Sequence, residues 1–313
     1  MAEQQGYTHS IMFHHFHDQT HPVSQGSLSA QDFESMIDWL SARYQLIGAD
    51  EYLARLGNDS LSADHICLSF DDALLCQYDV AAPILDRKNI KAFFFVYSSP
   101  FCGDPDPLEV YRYFRTTEYK SIDDFYSQFF LEAASLLGDA YSTALKDFDE
   151  KTYLASFPFY SANDKWFRYL RDLVLGKARY EAIMDRLMEK RSFNIARASE
   201  KLWMSETNVR NLHNSGHIVG LHSYSHPTTL HMCDRQTQQR EYDKNFEHLR
   251  AMLGVAPIAM SHPCGNYNGE TLDILRRFGI KIGFRSNNSV THISSNLEVP
   301  RDDHANVYKA MHQ

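Results

Sequence analysis

Two stretches of the 313-residue sequence carry side chains that can bind a cation and move a proton. Asp71-Asp72 stands directly after the apolar run 66–70 (ICLSF). Adjacent side chains on an extended backbone point to opposite sides, so one carboxylate can ligate a metal while the other stays free as a base. His222 and His226 follow the run 217–221 (HIVGL). One carboxylate with two imidazoles is a common shell for zinc that leaves a position open for water. The same facial set serves non-haem iron. Further polar groups stand after other apolar runs: His262-Pro263-Cys264-Gly265 after IAMS, Arg285 after KIGF, and Arg301-Asp302-Asp303-His304 after LEVP. His14, His15, His17 and Asp18 lie at or after the first run, and His292 after a later one.

A bare HxxxH pair is a weak signal. With 16 His in the chain, about one such pair is expected by chance. The pairs His17/His21, His213/His217 and His222/His226 all occur. His213/His217 precedes its strand and reads as structural, and His17/His21 lies in a polar loop and reads as solvated. An Asp-Asp pair alone is commonly a helix N-terminal device. The thiol of Cys264, with no base placed beside it, reads as inert. Joint placement after successive apolar runs lifts Asp71, Asp72, His222 and His226 above this background.

The elements that must position these groups follow from the apolar pattern. Strands are expected at 10–16, 66–70, 91–97, 217–221, 257–261, 281–284 and 297–299. Helices are expected at 31–44, with Ser29 as N-cap, and at 78–88, 236–253 and 270–278, with a further helix ending near His213. Strand–helix alternation implies a parallel α/β fold, whose active sites gather at the carboxyl ends of the strands. Residues 103–200 break the pattern. They carry helical spacing at 122–137, 165–175 and 179–189 and many aromatics, among them Tyr111, Tyr113, Phe114, Phe125, Phe129, Phe130, Tyr153, Phe157, Phe159, Tyr160 and Trp166. This stretch reads as a helical insertion with its own aromatic core, and it offers a sugar-binding cleft or a dimer interface as alternatives.

Composition narrows the function. A net charge of −9 with no Lys/Arg-rich run excludes a nucleic-acid footprint. No apolar run is long enough to span a bilayer. The start, Met1 to Gly6, lacks the pattern of a secretory signal, and the five cysteines are odd in number and contain no CxxC. Together these features predict a cytoplasmic protein with reduced thiols.

These motifs resemble the polysaccharide deacetylase family (NodB homology, carbohydrate esterase family four). Ser69-Phe70-Asp71-Asp72 is similar to its first motif, and His222-Ser223-Tyr224-Ser225-His226 to its second. Ser261-His262-Pro263-Cys264-Gly265 resembles a variant third motif, Ala-Tyr-Pro-Tyr-Gly, and Met12-Phe13-His14-His15 the Tyr-His opening of a subgroup. The resemblance implies a distorted, incomplete (β/α) barrel built from about 8–102 and 201–304, with 103–200 inserted, as a single catalytic domain. It implies Asp72, His222 and His226 as ligands of a divalent metal, zinc first and Fe, Co, Ni or Mn as alternatives. It makes Asp71 the general base and the Cys264 backbone N–H the oxyanion donor. The sequence departs from the family in three places. Ala73 stands where Gly is usual. Ser261 replaces an Arg that orients the base, with Arg301 as candidate substitute. The motif for the general acid is not clearly present, leaving His304, then His14 and His15, as candidates. The expected activity is removal of an N-acetyl or other N-acyl group from a sugar, in a cytoplasmic precursor of a surface polysaccharide. A non-catalytic carbohydrate-binding protein is the alternative. A non-haem iron oxygenase is disfavoured, because the Asp precedes a contiguous His pair.

Overall fold

The computed structural model describes residues 9–154, 160–287 and 295–313. The N-terminal residues 1–8, Phe157, Phe159 and His292 lie outside the described residues. The chain divides into two compact units, Met1–Asp106 with Ser199–Gln313, and Pro107–Ala198.

The larger unit is built on a sheet of seven parallel strands. Its strands are β1 (Ser10–Phe13), β4 (Leu68–Phe70), β5 (Phe93–Val96), β6 (Ile218–Leu221), β7 (Ala259–Ser261), β8 (Ile282–Phe284) and β9 (Arg301–Asp303). A separate pair is formed by β2 (Gln45–Leu46) and β3 (His65–Ile66). The sheet order is β8-β7-β6-β5-β4-β1-β9. Its ends nearly meet: Phe284 bridges Val299, and the Arg285 N–H donates to the Val299 carbonyl at 2.9 Å, just before the chain enters β9. The sheet thus curls into the nearly closed barrel that the resemblance implied.

The central strand β5 is apolar on both faces, as a parallel sheet covered on both sides requires. Phe93 and Phe95 pack with Tyr52 and Phe284, whereas Phe94 points the other way and stacks on Phe70 at 4.6 Å. Each such ring stabilises the fold by roughly 1.5–3 kcal/mol through burial. The helices of this unit are α1 (Ala30–Ser41), α2 (Ala49–Gly57) and α3 (Ala82–Arg87), then, beyond the second unit, α10 (Glu206–Asn214), α11 (Arg235–Leu253), α12 (Gly269–Arg277) and α13 (His304–Met311). Ser29 caps α1 in a reciprocal box with Asp32, as its spacing predicts.

The second unit is helical: α4 (Pro107–Thr117), α5 (Ile122–Leu137), α6 (Asp139–Asp147), α7 (Ala162–Tyr169) and α8 (Gly176–Lys190), with α9 (Ile195–Leu202) at the unit boundary. Its core is aromatic. Phe125, Phe129, Phe167 and Tyr180 are buried against one another, with Phe129 and Phe167 edge-to-face at 4.8 Å. Tyr113, Phe130, Tyr153 and Tyr160 are only half-buried.

The strand at the end of the chain differs from expectation. The apolar run 297–299 is not the strand; Val299 makes a single bridge, and the strand is Arg301–Asp303. The chain changes partner here. Val299 pairs with the β8 side, the Pro300 carbonyl accepts from Ser10 N–H at 3.1 Å, and β9 then runs beside β1. Arg301 therefore sits within a strand rather than after one. The first strand is shorter than 10–16, ending at Phe13. Beyond it the chain leaves the sheet: the His14 carbonyl accepts from Gln77, the Phe16 N–H is held by the Cys76 sulfur, and Phe16 makes an isolated bridge to Leu28.

Candidate active site

Asp71 and Asp72 follow β4, and His222 and His226 follow β6, so all four lie at the carboxyl ends of barrel strands. Among the described residues, Asp72, His222 and His226 form the group able to hold a cation, with donor atoms within 4.8 Å of one another. The Asp72 Oδ1 lies 3.4 Å from His222 Nε2 and 3.6 Å from His226 Nε2. That oxygen is buried and accepts no hydrogen bond. An orphaned carboxylate oxygen facing two imidazole nitrogens is the donor arrangement a divalent cation satisfies.

The tautomer of His222 follows from its neighbour. Its Nδ1 lies 2.8 Å from the Ser261 carbonyl, which can only accept, so Nδ1 carries the proton and Nε2 presents its lone pair. His226 is oriented by Asp106, whose Oδ2 lies 3.6 Å from its Nδ1. Burial opposes charge on His226, yet Asp106 and Asp72 carry the imidazole up to about 9. Burial likewise opposes charge on Asp72, and His222, His226 and His14 hold its carboxyl well below the usual carboxylate range. Asp72 and Ala73 take positive φ, 78° and 52°. Ala73 thus adopts the left-handed backbone that favours the family's usual Gly, at a cost of about 1–2 kcal/mol.

Asp71 faces a different partner. Arg301 grips it with both arms, Nη1 to Oδ1 and Nη2 to Oδ2, each at 2.7 Å. Ser261 Oγ donates to Oδ2 at 3.1 Å and lies 2.7 Å from Arg301 Nη2. The Arg301 Nε donates to the Arg285 carbonyl. Arg301 is fully buried, so this is an interior ion pair and not a surface salt bridge. Burial pushes the Asp71 carboxyl up, but the Arg301 guanidinium and His222 outweigh it and hold the group below its usual range. The serine in the third motif thus stands beside an arginine delivered from another strand.

The remaining sequence candidates divide. His14 Nε2 lies 3.9 Å from Asp72 Oδ2, with its ring parallel to that of His15 at 6.3 Å. His304 starts α13 and is tied elsewhere: its Nε2 bonds the Gly26 carbonyl at 2.8 Å and its ring stacks on Phe13. Burial lowers its pKa. Cys264 is exposed, with φ 53°. Desolvation and then Asp72, Asp106 and Asp71 push its thiol up to about 11, which favours the thiol over the nucleophilic thiolate. His262 is buried, donates Nε2 to the Leu297 carbonyl at 2.8 Å and is pushed down to about 3 by burial. Arg285 stacks over Tyr267. His17 bonds Ser27. His21, read as solvated, is buried instead, because Asp79 reaches its Nε2 at 2.9 Å.

The sequence reading missed Asp106. It belongs to the loop after β5, so its place at a strand's carboxyl end was a usable signal.

The polysaccharide deacetylase family model matches residues 179–283, a span that holds the histidine pair and the third motif. A search of curated proteins returns no match. Among solved structures, the chain is similar to the Streptococcus pyogenes deacetylase PplD in complex with acetate, at 17% identity and a TM-score of 0.55, covering 95% of this chain and 91% of that one. It is similar to IcaB from Ammonifex degensii, at 18% identity and a TM-score of 0.50, covering 95% and 91%. It is also similar to a de-N-acetylase from Aggregatibacter actinomycetemcomitans, at 14% identity and a TM-score of 0.51, covering 93% and 94%. At these identities the likeness is one of fold. The resemblance to the polysaccharide deacetylase family therefore rests on the family model, which spans the second and third motifs and not Asp71-Asp72, while the solved structures show a shared fold over nearly the whole chain.

Proposed function

We propose that the protein is a metal-dependent hydrolase that removes an N-acetyl or other N-acyl group from a sugar. The observation that carries this reading is the division of labour between adjacent aspartates, one turned to two imidazoles and the other to a buried guanidinium. Asp72, His222 and His226 would hold the cation, zinc in the first instance. When bound, it supplies Lewis acidity to the acyl carbonyl and to the attacking water. Asp71 accepts the proton of that water, and the Arg301 fork keeps both carboxylate oxygens aimed and ionised. The backbone N–H of Cys264 is the proposed donor to the oxyanion. The C–N bond breaks, and the amine leaves with a proton. His14 is the proposed donor of that proton, because it approaches Asp72 whereas His304 is tied to Gly26. His15, behind His14, is a reserve for the same role.

Ser261, which on sequence favours a non-catalytic binding protein, loses that weight because Arg301 takes the orienting part. The substrate we infer is an N-acylated sugar in a cytoplasmic precursor of a surface polysaccharide. The free cysteines, with Cys67 and Cys76 buried, support a reducing compartment. No helix among the described residues is long and apolar enough to cross a membrane.

The test is acetate and free-amine release from N-acetylated amino sugars by zinc-loaded protein, beside Asp71→Asn. The variant is expected to keep its metal and lose on the order of 10²–10⁴ in turnover. Undiminished release would remove Asp71 as the base, and bound metal with no release from any sugar would favour a binding protein.

A further inference from the structure

We propose that Glu241, on α11, is a positioning residue that holds the loop between the two metal-binding histidines in shape before any metal arrives, with Asn245 one turn later as its partner. This rests on the reading of Asp72, His222 and His226 as a metal site.

The loop needs such support. Ser223 and His226 both adopt positive φ, 62° and 52°. For side chains with a Cβ, each costs about 1–2 kcal/mol. Strain of this kind persists only where the surroundings over-determine it. Here they do. The Glu241 Oε2 accepts from Tyr224 N–H at 3.0 Å and from Ser225 N–H at 2.8 Å, while Oε1 accepts from Ser225 Oγ at 2.8 Å. The Asn245 Oδ1 accepts from His222 N–H at 3.0 Å. The His226 N–H finds Ser223 Oγ at 3.1 Å. On the opposite side, the Tyr224 carbonyl accepts from Ser98 and Ser99 N–H at 3.0 and 2.8 Å. Asn245 links the two sides, donating to the Val96 carbonyl at 2.9 Å and to Ser98 Oγ at 2.7 Å.

Two features separate this from ordinary helix packing. Among the described residues, Glu241 makes no ion pair with a Lys or Arg and bonds only loop donors; the nearby Lys244 sits over the Tyr224 ring instead. The carboxylate charge is therefore spent on loop donors, and charge-assisted bonds are about twice as strong as neutral ones. The bonds also fall between the two ligands. A shift of the 224–225 peptide carries His226 away from His222, whose own position is fixed by β6 and Ser261. Outer groups of this kind typically change metal affinity by about 10–100-fold when removed.

The experiment measures zinc affinity by chelator competition and the visible spectrum of the cobalt-loaded protein, with the melting temperature of the metal-free protein recorded alongside. Glu241→Ala is expected to weaken zinc about 10–100-fold and to alter the cobalt bands. Glu241→Gln is isosteric and keeps one carbonyl acceptor but loses the charge, so it should fall between, at about three- to tenfold weaker. A merely structural role lowers the melting temperature and leaves the affinity and cobalt spectrum of the folded protein unchanged; that result, seen in Glu241→Gln alone if Glu241→Ala does not fold, overturns the proposal. Wild-type protein that binds neither zinc nor cobalt overturns the metal reading itself, an outcome distinct from wild-type binding that the variants retain.

Discussion

His217 and His222 flank the same short strand, β6, and both are almost fully buried, at 2% and 1% exposure. Their ring nitrogens are arranged in opposite ways. At the amino end, His217 Nδ1 accepts the Ala92 N–H at 3.1 Å, so the proton sits on Nε2, where it has no hydrogen-bond partner. At the carboxyl end, His222 Nδ1 donates to the Ser261 carbonyl, so Nε2 presents a lone pair toward Asp72. Burial and residue type are shared. What separates the structural histidine from the candidate ligand is whether a backbone donor or a backbone acceptor meets Nδ1, and whether a carboxylate converges on the other nitrogen.

The sharpest way to break this comparison is to make the same substitution at both ends. His222→Gln removes a proposed ligand and is expected to abolish stable zinc binding, with deacetylation down by about 10³-fold or more. His217→Gln can still accept the Ala92 N–H and should leave zinc content and turnover within about threefold of the parent, as expected of a residue outside the reacting groups. Metal content and acetate release from the two purified variants decide it. Equal losses at the two ends would sink the assignment.

The comparison extends inward to Arg301, a buried charge whose partner is the proposed base. Arg301→Met strands the Asp71 carboxylate and should destabilise the fold by about 3–5 kcal/mol in denaturant unfolding. It should also raise the Asp71 pKa, since Arg301 is the strongest group now lowering it. The acid limb of kcat/KM then moves to higher pH. Arg301→Lys keeps a charge without the fork and should shift the limb less. A limb that stays in place in Arg301→Met would mean that Asp71 is not the base.

How much of this was legible in the sequence depended on distance along the chain. Asp71-Asp72 and His222 to His226 were readable as candidates because each pair stands after one apolar strand, β4 and β6, whose carboxyl ends the barrel brings together. Arg301 was readable as a candidate, although its strand was misplaced. The apolar run Leu297 to Val299 looks like a strand, whereas Arg301-Asp302-Asp303 becomes one because the chain switches to the free edge of β1. Asp106 was overlooked although its loop follows β5, and Glu241 carried no such signal. Their bonds to His226 and to the 224–225 peptide are tertiary, and α11 hides the second of them. Its buried face carries Gln238 and Asn245, at 0% exposure each, among the apolar Tyr242, Phe246, Leu249 and Met252, so the helix is legible but the polar role of that face is not. His21 failed for the same reason: its partner, Asp79, is 58 residues away.

The smallest effect returns to the amino end of β6 and concerns pH. Burial is the main cause that pushes His217 from an ordinary 6.5 to about 4. The unfolded chain takes up a proton at this position below about pH 6.5, and the folded one does not until near pH 4. A depressed folded-state pKa gives stability that is fully present above the unfolded value and is lost as pH falls toward the folded one. At about 1.4 kcal/mol for each pH unit, some 2 kcal/mol should be lost by about pH 5, before most carboxylates titrate. Buried His262, pushed to about 3, adds a limb of the same sign, so the parent curve alone cannot isolate His217. The difference between parent and His217→Gln can. Glutamine has no proton to gain, so the variant's unfolding free energy should fall less steeply between pH 6.5 and 5, by about 2 kcal/mol over that interval. Parallel curves would show that His217 takes up its proton in the folded state, and that its Nε2, 3.9 Å from Asp86, is less isolated than its burial implies.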